Sequence, residues 1–197
     1  MSADGLVKDG LVKVGILISG RGSNMQSLVA ASKMADAAYA IALVASDKPE
    51  AAGLAWAQDQ GIATFALSPK GIGKPAYEAA IDQALRDAGV EVIALAGYMR
   101  LLSGDFVSRW QGRILNVHPS LLPLYKGLDT HERAITAGDA KAGCSVHVVT
   151  EALDDGEVLG QAEVPILPGD DAAALAARVL VEEHRLYPQI LTEFVRR

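Results

Sequence analysis

The chain has 197 residues, 50% of them hydrophobic, with 24 acidic against 18 basic side chains, a net charge of −6 and a sequence pI of about 5.2. That length suits one domain with a sizeable core, and the acidic balance argues against a duplex nucleic-acid binder, which needs a basic face to neutralise phosphates. The single cysteine, Cys144, excludes a disulfide framework or cysteine-based zinc site, and no run approaches the ~18 apolar residues of a membrane span, so small metabolites in a cytoplasmic setting are the expected partners.

Residues 1–10 carry Asp4 and Asp9 and lack an apolar stretch, which reads as a disordered leader before a single domain over 11–197. Beyond them β-branched apolar runs alternate with helical periodicity. The pattern predicts strand over 12–18, helix over 23–34, strand over 39–45, helix over 50–60, a short strand over 63–67, helix over 75–88 and strand over 90–96. Gly61 and Gly89 stand where two of these helices should stop. This alternation is the rhythm of a parallel α/β sheet.

From residue 97 the pattern loosens. A helix is expected over 101–110, a strand over 113–117, an irregular proline-rich segment over 119–127, a short helix over 130–137, and strands over 145–150 and 157–166 on either side of Gly156. The last element reads as a long helix over 170–194 that starts from an aspartate cap, with Pro188 breaking or ending its regular part.

Four segments can carry chemistry. Ser19-Gly20-Arg21-Gly22-Ser23-Asn24 joins the first strand to the first helix, where backbone amides and a helix N-terminus can face a phosphate. It is not a dinucleotide fingerprint, because Met25 takes the third glycine's place, nor a P-loop, because Arg21-Gly22 replaces the Lys-Ser/Thr pair. Taken alone the loop suits phosphate binding and a plain capped turn equally well.

In Asn116-Val117-His118 on a strand, the outer residues share a face, so an amide and an imidazole can converge on one carbonyl and stabilise the oxyanion formed when an amine attacks it. A lone strand-end histidine is more often structural. Asp154, 36 residues after His118 at the exit of the adjacent predicted strand, changes that balance, since a nearby carboxylate favours the cationic imidazole. His131, His147 and His184 are competing partners, and His147, inside an apolar strand, reads as a hydrogen-bonded core histidine. Without cysteines or an H-E-x-x-H pattern no metal site is expected.

Ala96-Gly97-Tyr98-Met99-Arg100-Leu101-Leu102 ends a predicted strand where open α/β sheets bind ligands, and its side chains can wall a flat heteroaromatic ring. On composition alone core packing is the better account. Glu182-Glu183-His184 on the last helix would ordinarily be a solvated face, and no G-x-S-x-G elbow supports a covalent serine mechanism.

Together these segments resemble the folate-dependent formyltransferases, over Val12 to Phe194. The resemblance is carried by the 19–24 and 96–102 segments, by Leu-Asn-Val-His-Pro-Ser-Leu-Leu-Pro at 115–123 and by Ser-Val-His-Val-Val-Thr at 145–150. The glycine loop and Gly127-Leu128-Asp129-Thr130-His131 favour the branch that acts on glycinamide ribonucleotide in purine biosynthesis. What the resemblance implies is a Rossmann-like formyltransferase fold, a mostly parallel twisted sheet with helices on both faces, and 10-formyltetrahydrofolate as co-substrate without a metal. It further implies a monomer or homodimer with small-molecule substrates and neither nucleic-acid nor membrane partners.

By the same resemblance Gly22, Ser23 and Asn24 bind the ribonucleotide phosphate and Glu183 contacts the glycinamide end. Met99, Arg100, Leu101 and Leu102, with Val149, Thr150 and Asp154, line the pterin site. Asn116 binds the formyl oxygen, His118 is the general acid and Asp154 raises its pKa. Lys74 stands where the family has an arginine on the folate tail, keeping the charge without the planar fork. Asp155 and Glu157 flank Gly156 where Gly and Pro are the rule, which alters the flexibility of the folate loop, and Leu122-Pro123 is expected to be cis.

Three other readings compete. Formyltetrahydrofolate hydrolases share the Asn/His/Asp set but carry an N-terminal regulatory domain that ten leader residues do not supply. Methionyl-tRNA formyltransferases need a further RNA-contacting domain and a basic face. A non-catalytic nucleotide-binding module of Rossmann-like type would explain the glycine loop but not Asn116, His118 and Asp154.

Overall fold

The computed structural model describes residues 10–197, so the expected leader lies, apart from Gly10, outside the described residues. In chain order the elements are β1 (Val12–Ile18), α1 (Ser23–Ser32), β2 (Tyr39–Ser46), α2 (Ala52–Asp59), β3 (Thr64–Ala66), α3 (Lys74–Asp87) and β4 (Val92–Leu95). They continue with α4 (Gly104–Arg109), β5 (Ile114–His118), α5 (Thr130–Ala137), β6 (Lys141–Val148), β7 (Val158–Pro165) and α6 (Ala172–Val195).

The strands form one sheet in the order β3-β2-β1-β4-β5-β6-β7. Pairing is parallel from β3 through β5 and antiparallel for β5–β6 and β6–β7, as the predicted mostly parallel α/β sheet requires. Strand alternation divides the core between two faces. Val14, Ile16 and Ile18 of β1 pack with Val44, Ala94, Leu115 and Val117 under α1, α2, α5 and α6, while Leu17, Leu43, Ala45, Ile93, Leu95 and Ile114 face α3 and α4. Strand segments buried on both faces are apolar, which is why residues 14–18 of β1 and all of β4 read as unbroken runs while Lys13 stands at the exposed start of β1.

Three boundaries differ from expectation for identifiable reasons. The helix expected over 101–110 begins only at Gly104, because Ser103 caps it: its Oγ accepts the Phe106 amide at 3.2 Å, and its own amide donates to Glu78 at 2.8 Å. The strand expected over 145–150 instead spans 141–148. Gly143 hid its beginning, since a Cβ there would lie 2.0 Å from the Ala162 carbonyl of β7, and only glycine permits that approach.

Pro188 does not break or end the last helix, which runs unbroken to Val195. The lost amide donor is outweighed by anchoring on either side of the proline. Tyr187, Ile190 and Leu191 are buried, and the Tyr187 hydroxyl lies 3.1 Å from the Leu95 carbonyl and 3.0 Å from that of Leu115. The Leu122-Pro123 bond is cis as expected.

The chain runs from β1 outward to β3, then returns to lay β4 on β1's other side. The carboxyl ends of β1 and β4 therefore diverge into loops on opposite sides of a crevice, and β5 ends beside them.

Candidate active site

At the end of β1 the chain turns through Ser19 to Gly22. Gly22 precedes α1 in the left-handed region (φ 73°, ψ 36°), where a side chain would be strained. Among the described residues no side chain caps α1, and the Gly22 carbonyl accepts from Gln26; a first turn whose amides lack a side-chain acceptor is suited to an anion. The turn is braced from behind: the Gly53 amide of α2 donates to the Gly20 carbonyl at 3.1 Å.

Asn24, in the first turn of α1, is buried and its Nδ2 donates to Glu183 Oε2 of α6 at 2.6 Å. Glu183 is thus not on a solvated face. Burial pushes its carboxyl pKa up, and the Asn24 hydrogen bond opposes that in part. Asn24 Oδ1 is buried without a hydrogen-bond partner among the described residues, an acceptor left over in the first turn of α1.

Asn116 and His118 lie on one face of β5, as the strand period dictates. Pairing of β5 with β6 sets Asn116 opposite His147 and His118 opposite Ser145. Asn116 Nδ2 is 3.2 Å from His147 Nε2, while His147 Nδ1 is 3.0 Å from the Val148 carbonyl. Only a neutral ring protonated at Nδ1 satisfies both contacts, donating to the carbonyl and accepting from the amide. Burial pulls the His147 pKa down, in agreement, although Asp154 Oδ1 lies 3.6 Å away and acts the other way. His147 is therefore the hydrogen-bonded core histidine expected, and it also holds the Asn116 amide.

His118 and Asp154 meet. His118 Nδ1 is 3.4 Å from Asp154 Oδ2, with side-chain exposures of 7% and 8%. Its Nε2 is 2.8 Å from the Tyr125 carbonyl, which also accepts from Ser120 Oγ at 2.7 Å. Both ring nitrogens thus face acceptors, and only the imidazolium donates to both. Asp154 adopts φ 47° and its Oδ2 accepts the Gly127 amide at 2.9 Å. Tyr125 and Gly127 act through their backbones in the segment expected to be irregular, so their residue types carried no signal. His131 does not take Asp154; its Nδ1 is buried without a partner, and burial followed by the neighbouring His118 lowers its pKa.

After β4, Met99 and Leu101 are each 67% exposed, Leu102 packs against the Tyr77 and Phe106 cluster, and the Arg100 guanidinium lies 5.3 Å from the Tyr77 ring centre. Core packing therefore does not account for Met99 and Leu101. Lys74, in the first turn of α3, lies 3.9 Å from Glu78, whose carboxylate holds Ser103 immediately after Leu102. Val149 is half-buried against the same cluster, and its amide donates to the Ile114 carbonyl at 2.8 Å. Thr150 is exposed, and the chain returns from there to Asp154. Among the described residues, the hydrogen bonds and ion pairs of Lys74, Val149 and Thr150 do not reach the side chains of Asn116, His118 and Asp154. Among the described residues no group of three or more His, Cys, Asp or Glu could hold a metal ion.

The arrangement can offer a carbonyl two donors, and the uncapped turn of α1 is suited to an anion. Residues 12–191 match the family described as formyl transferase. The crystal structure of phosphoribosylglycinamide formyltransferase from Brucella melitensis is 53% identical with a TM-score of 0.90, and the match covers 94% of this chain and 96% of that one. Phosphoribosylglycinamide formyltransferase of Escherichia coli (strain K12) is 43% identical over 180 residues, 91% of this chain and 85% of the relative. The trifunctional purine biosynthetic protein adenosine-3 of Gallus gallus is 42% identical over 95% of this chain but only 19% of its own length, so this chain spans a small part of that relative. By its sequence over residues 12–191 and by its fold, the chain belongs to the formyl transferase family.

Proposed function

We propose that this chain transfers the formyl group of 10-formyltetrahydrofolate to the amine of glycinamide ribonucleotide, a step of purine biosynthesis. The observation that carries the reading is the convergence of Asn116 Nδ2 and the Asp154-paired His118 ring at the carboxyl end of β5, beside the capless glycine turn of α1. The phosphate sits on the amides of Gly22, Ser23 and Asn24, and Glu183 faces the glycinamide end. Met99, Arg100, Leu101, Leu102, Val149, Thr150 and Asp154 receive the pterin, and Lys74 the folate tail.

The free amine attacks the formyl carbon directly, forming the new C–N bond as the carbonyl electron pair moves onto oxygen. Asn116 donates to that oxyanion, and so does His118 once its Nε2–H leaves the Tyr125 carbonyl for the substrate. Collapse of the intermediate breaks the bond to N10 of the folate, which takes up the proton lost by the amine. No covalent enzyme intermediate forms. Asp154 accepts at Nδ1 and so fixes the orientation of the His118 ring.

The reading carries with it a single domain over 11–197, a cytoplasmic location and a monomer or homodimer. Protein, 10-formyltetrahydrofolate and glycinamide ribonucleotide are mixed, and tetrahydrofolate is followed with and without the amine. Amine-dependent release is the expected result. Release that ignores the amine would establish a hydrolase, and no release a binding module.

A further inference from the structure

A buried carboxylate that the reaction does not use lies at the end of β2. Asp47 is 7% exposed, and no basic side chain pairs with it among the described residues. It accepts a hydrogen bond from Ser19 Oγ at 2.6 Å, and the Ser19 oxygen in turn accepts from the Met99 amide at 2.9 Å. Ser19 also donates its own amide to the Gly97 carbonyl at 3.2 Å. The residue that opens the glycine turn therefore grips the 97–99 turn at two points. Burying a carboxylate without a cationic partner is costly, and the Ser19 hydrogen bond offsets part of that cost.

An ionised carboxylate can only accept, so Asp47 obliges the Ser19 hydroxyl to point its one proton inward and leaves a lone pair for Met99. The peptide between Tyr98 and Met99 is trans, and in a trans peptide N–H and C=O point opposite ways. Holding the Met99 amide on Ser19 therefore turns the Tyr98 carbonyl away from it and sets the path of the segment from Met99 to Leu102, in which Met99 and Leu101 are exposed.

We propose that Ser19 and Asp47 are positioning residues for the folate-binding segment, fixing the peptide plane before Met99 through a hydroxyl oriented by a buried carboxylate. The proposal rests on the folate reading given above. Neither side chain touches the reacting atoms, so their loss acts on folate affinity and leaves the chemical step alone.

Ser19→Ala and Asp47→Leu are each expected to expose the Met99 amide to hydrogen exchange and to raise KM for 10-formyltetrahydrofolate about three- to tenfold, the equivalent of one hydrogen bond. In both, kcat and KM for glycinamide ribonucleotide stay within about twofold of wild type, since the α1 amides keep their backbone bracing. Asp47→Asn restores the wild-type folate KM, because an amide oxygen also accepts from Ser19. A Met99 amide that stays protected in both variants would overturn the proposed geometry. Exposure of Met99 without a change in folate KM would overturn the positioning role, as would equal loss of both KM values. Titration with unreactive 10-deazatetrahydrofolate separates this proposal from the activity. Wild type that binds the analogue but transfers no formyl group sinks the transferase reading and leaves exchange and titration to decide here; wild type that binds none sinks both.

Discussion

His118 is held between two acceptors, the Tyr125 carbonyl at 2.8 Å and Asp154 at 3.4 Å, and the same Asp154 carboxylate lies 3.6 Å from the neutral His147. Replacing Asp154 by Asn keeps the Gly127 contact through the amide oxygen but removes the charge facing Nδ1. Asp154→Asn should fold normally and lose on the order of 10²-fold or more in kcat at neutral pH, the scale for losing one donor to an oxyanion. Wild-type turnover in that variant would remove Asp154 from the mechanism. His147→Phe fills the same space but takes the acceptor from Asn116 Nδ2, so steady-state kinetics should show kcat falling about tenfold with substrate KM values little changed, as for an interaction felt in the transition state. Asn116 and His118 were legible in the sequence because their shared face follows from strand geometry. The hold of His147 on Asn116 was not, since it depends on the β5–β6 register.

At the scale of elements, α6 ties the site to the scaffold: Tyr187 bonds to both β4 and β5, and Glu183 reaches α1. Tyr187→Phe should cost about 1 kcal/mol in urea unfolding, the net worth of one buried hydrogen bond. Pro188 misled the sequence reading because helix propensity is a local quantity and the packing around Tyr187 is not. The loop that returns Asp154 to His118 passes its tightest point at Gly156, where a Cβ would lie 1.8 Å from the Val148 carbonyl. Gly156→Ala must push the loop off β6; a loss of about 1–3 kcal/mol is expected, with a parallel loss of activity as Asp154 is displaced. Unchanged stability and turnover would show that the loop has another resting path. The neighbouring Asp155 pairs with Lys126, which holds it below the usual carboxylate range and tethers the turn after β6 to the segment between β5 and α5.

Across the whole molecule, burial pulls down the pKa values of His131, His147 and His184. A depressed folded pKa means the unfolded chain binds more protons at intermediate pH. The stability these groups contribute is present above the unfolded value of about 6.5 and is lost as pH falls below it. Glu183 acts with the opposite sign: its raised pKa supports the fold below the unfolded value of about 4.3, and that support fades as pH rises through the folded value. Between pH 7.5 and 5.5 the histidines dominate, so the urea midpoint should drop on acidification, and less steeply in His147→Phe. Identical pH profiles for the two proteins would contradict a buried neutral His147.

What the sequence by itself determined was the alternation of strands and helices, the two faces of each strand, the glycine turn before α1 and the shared face of Asn116 and His118. These follow from side-chain periodicity and backbone turn chemistry, which act over a few residues. The tertiary structure alone decided that Asp154 reaches His118, that Glu183 is buried on Asn24, and that Tyr125 and Gly127 serve the site through their backbones. Those contacts join distant segments through strand order, register and loop path, and their energies depend on burial that no local pattern records.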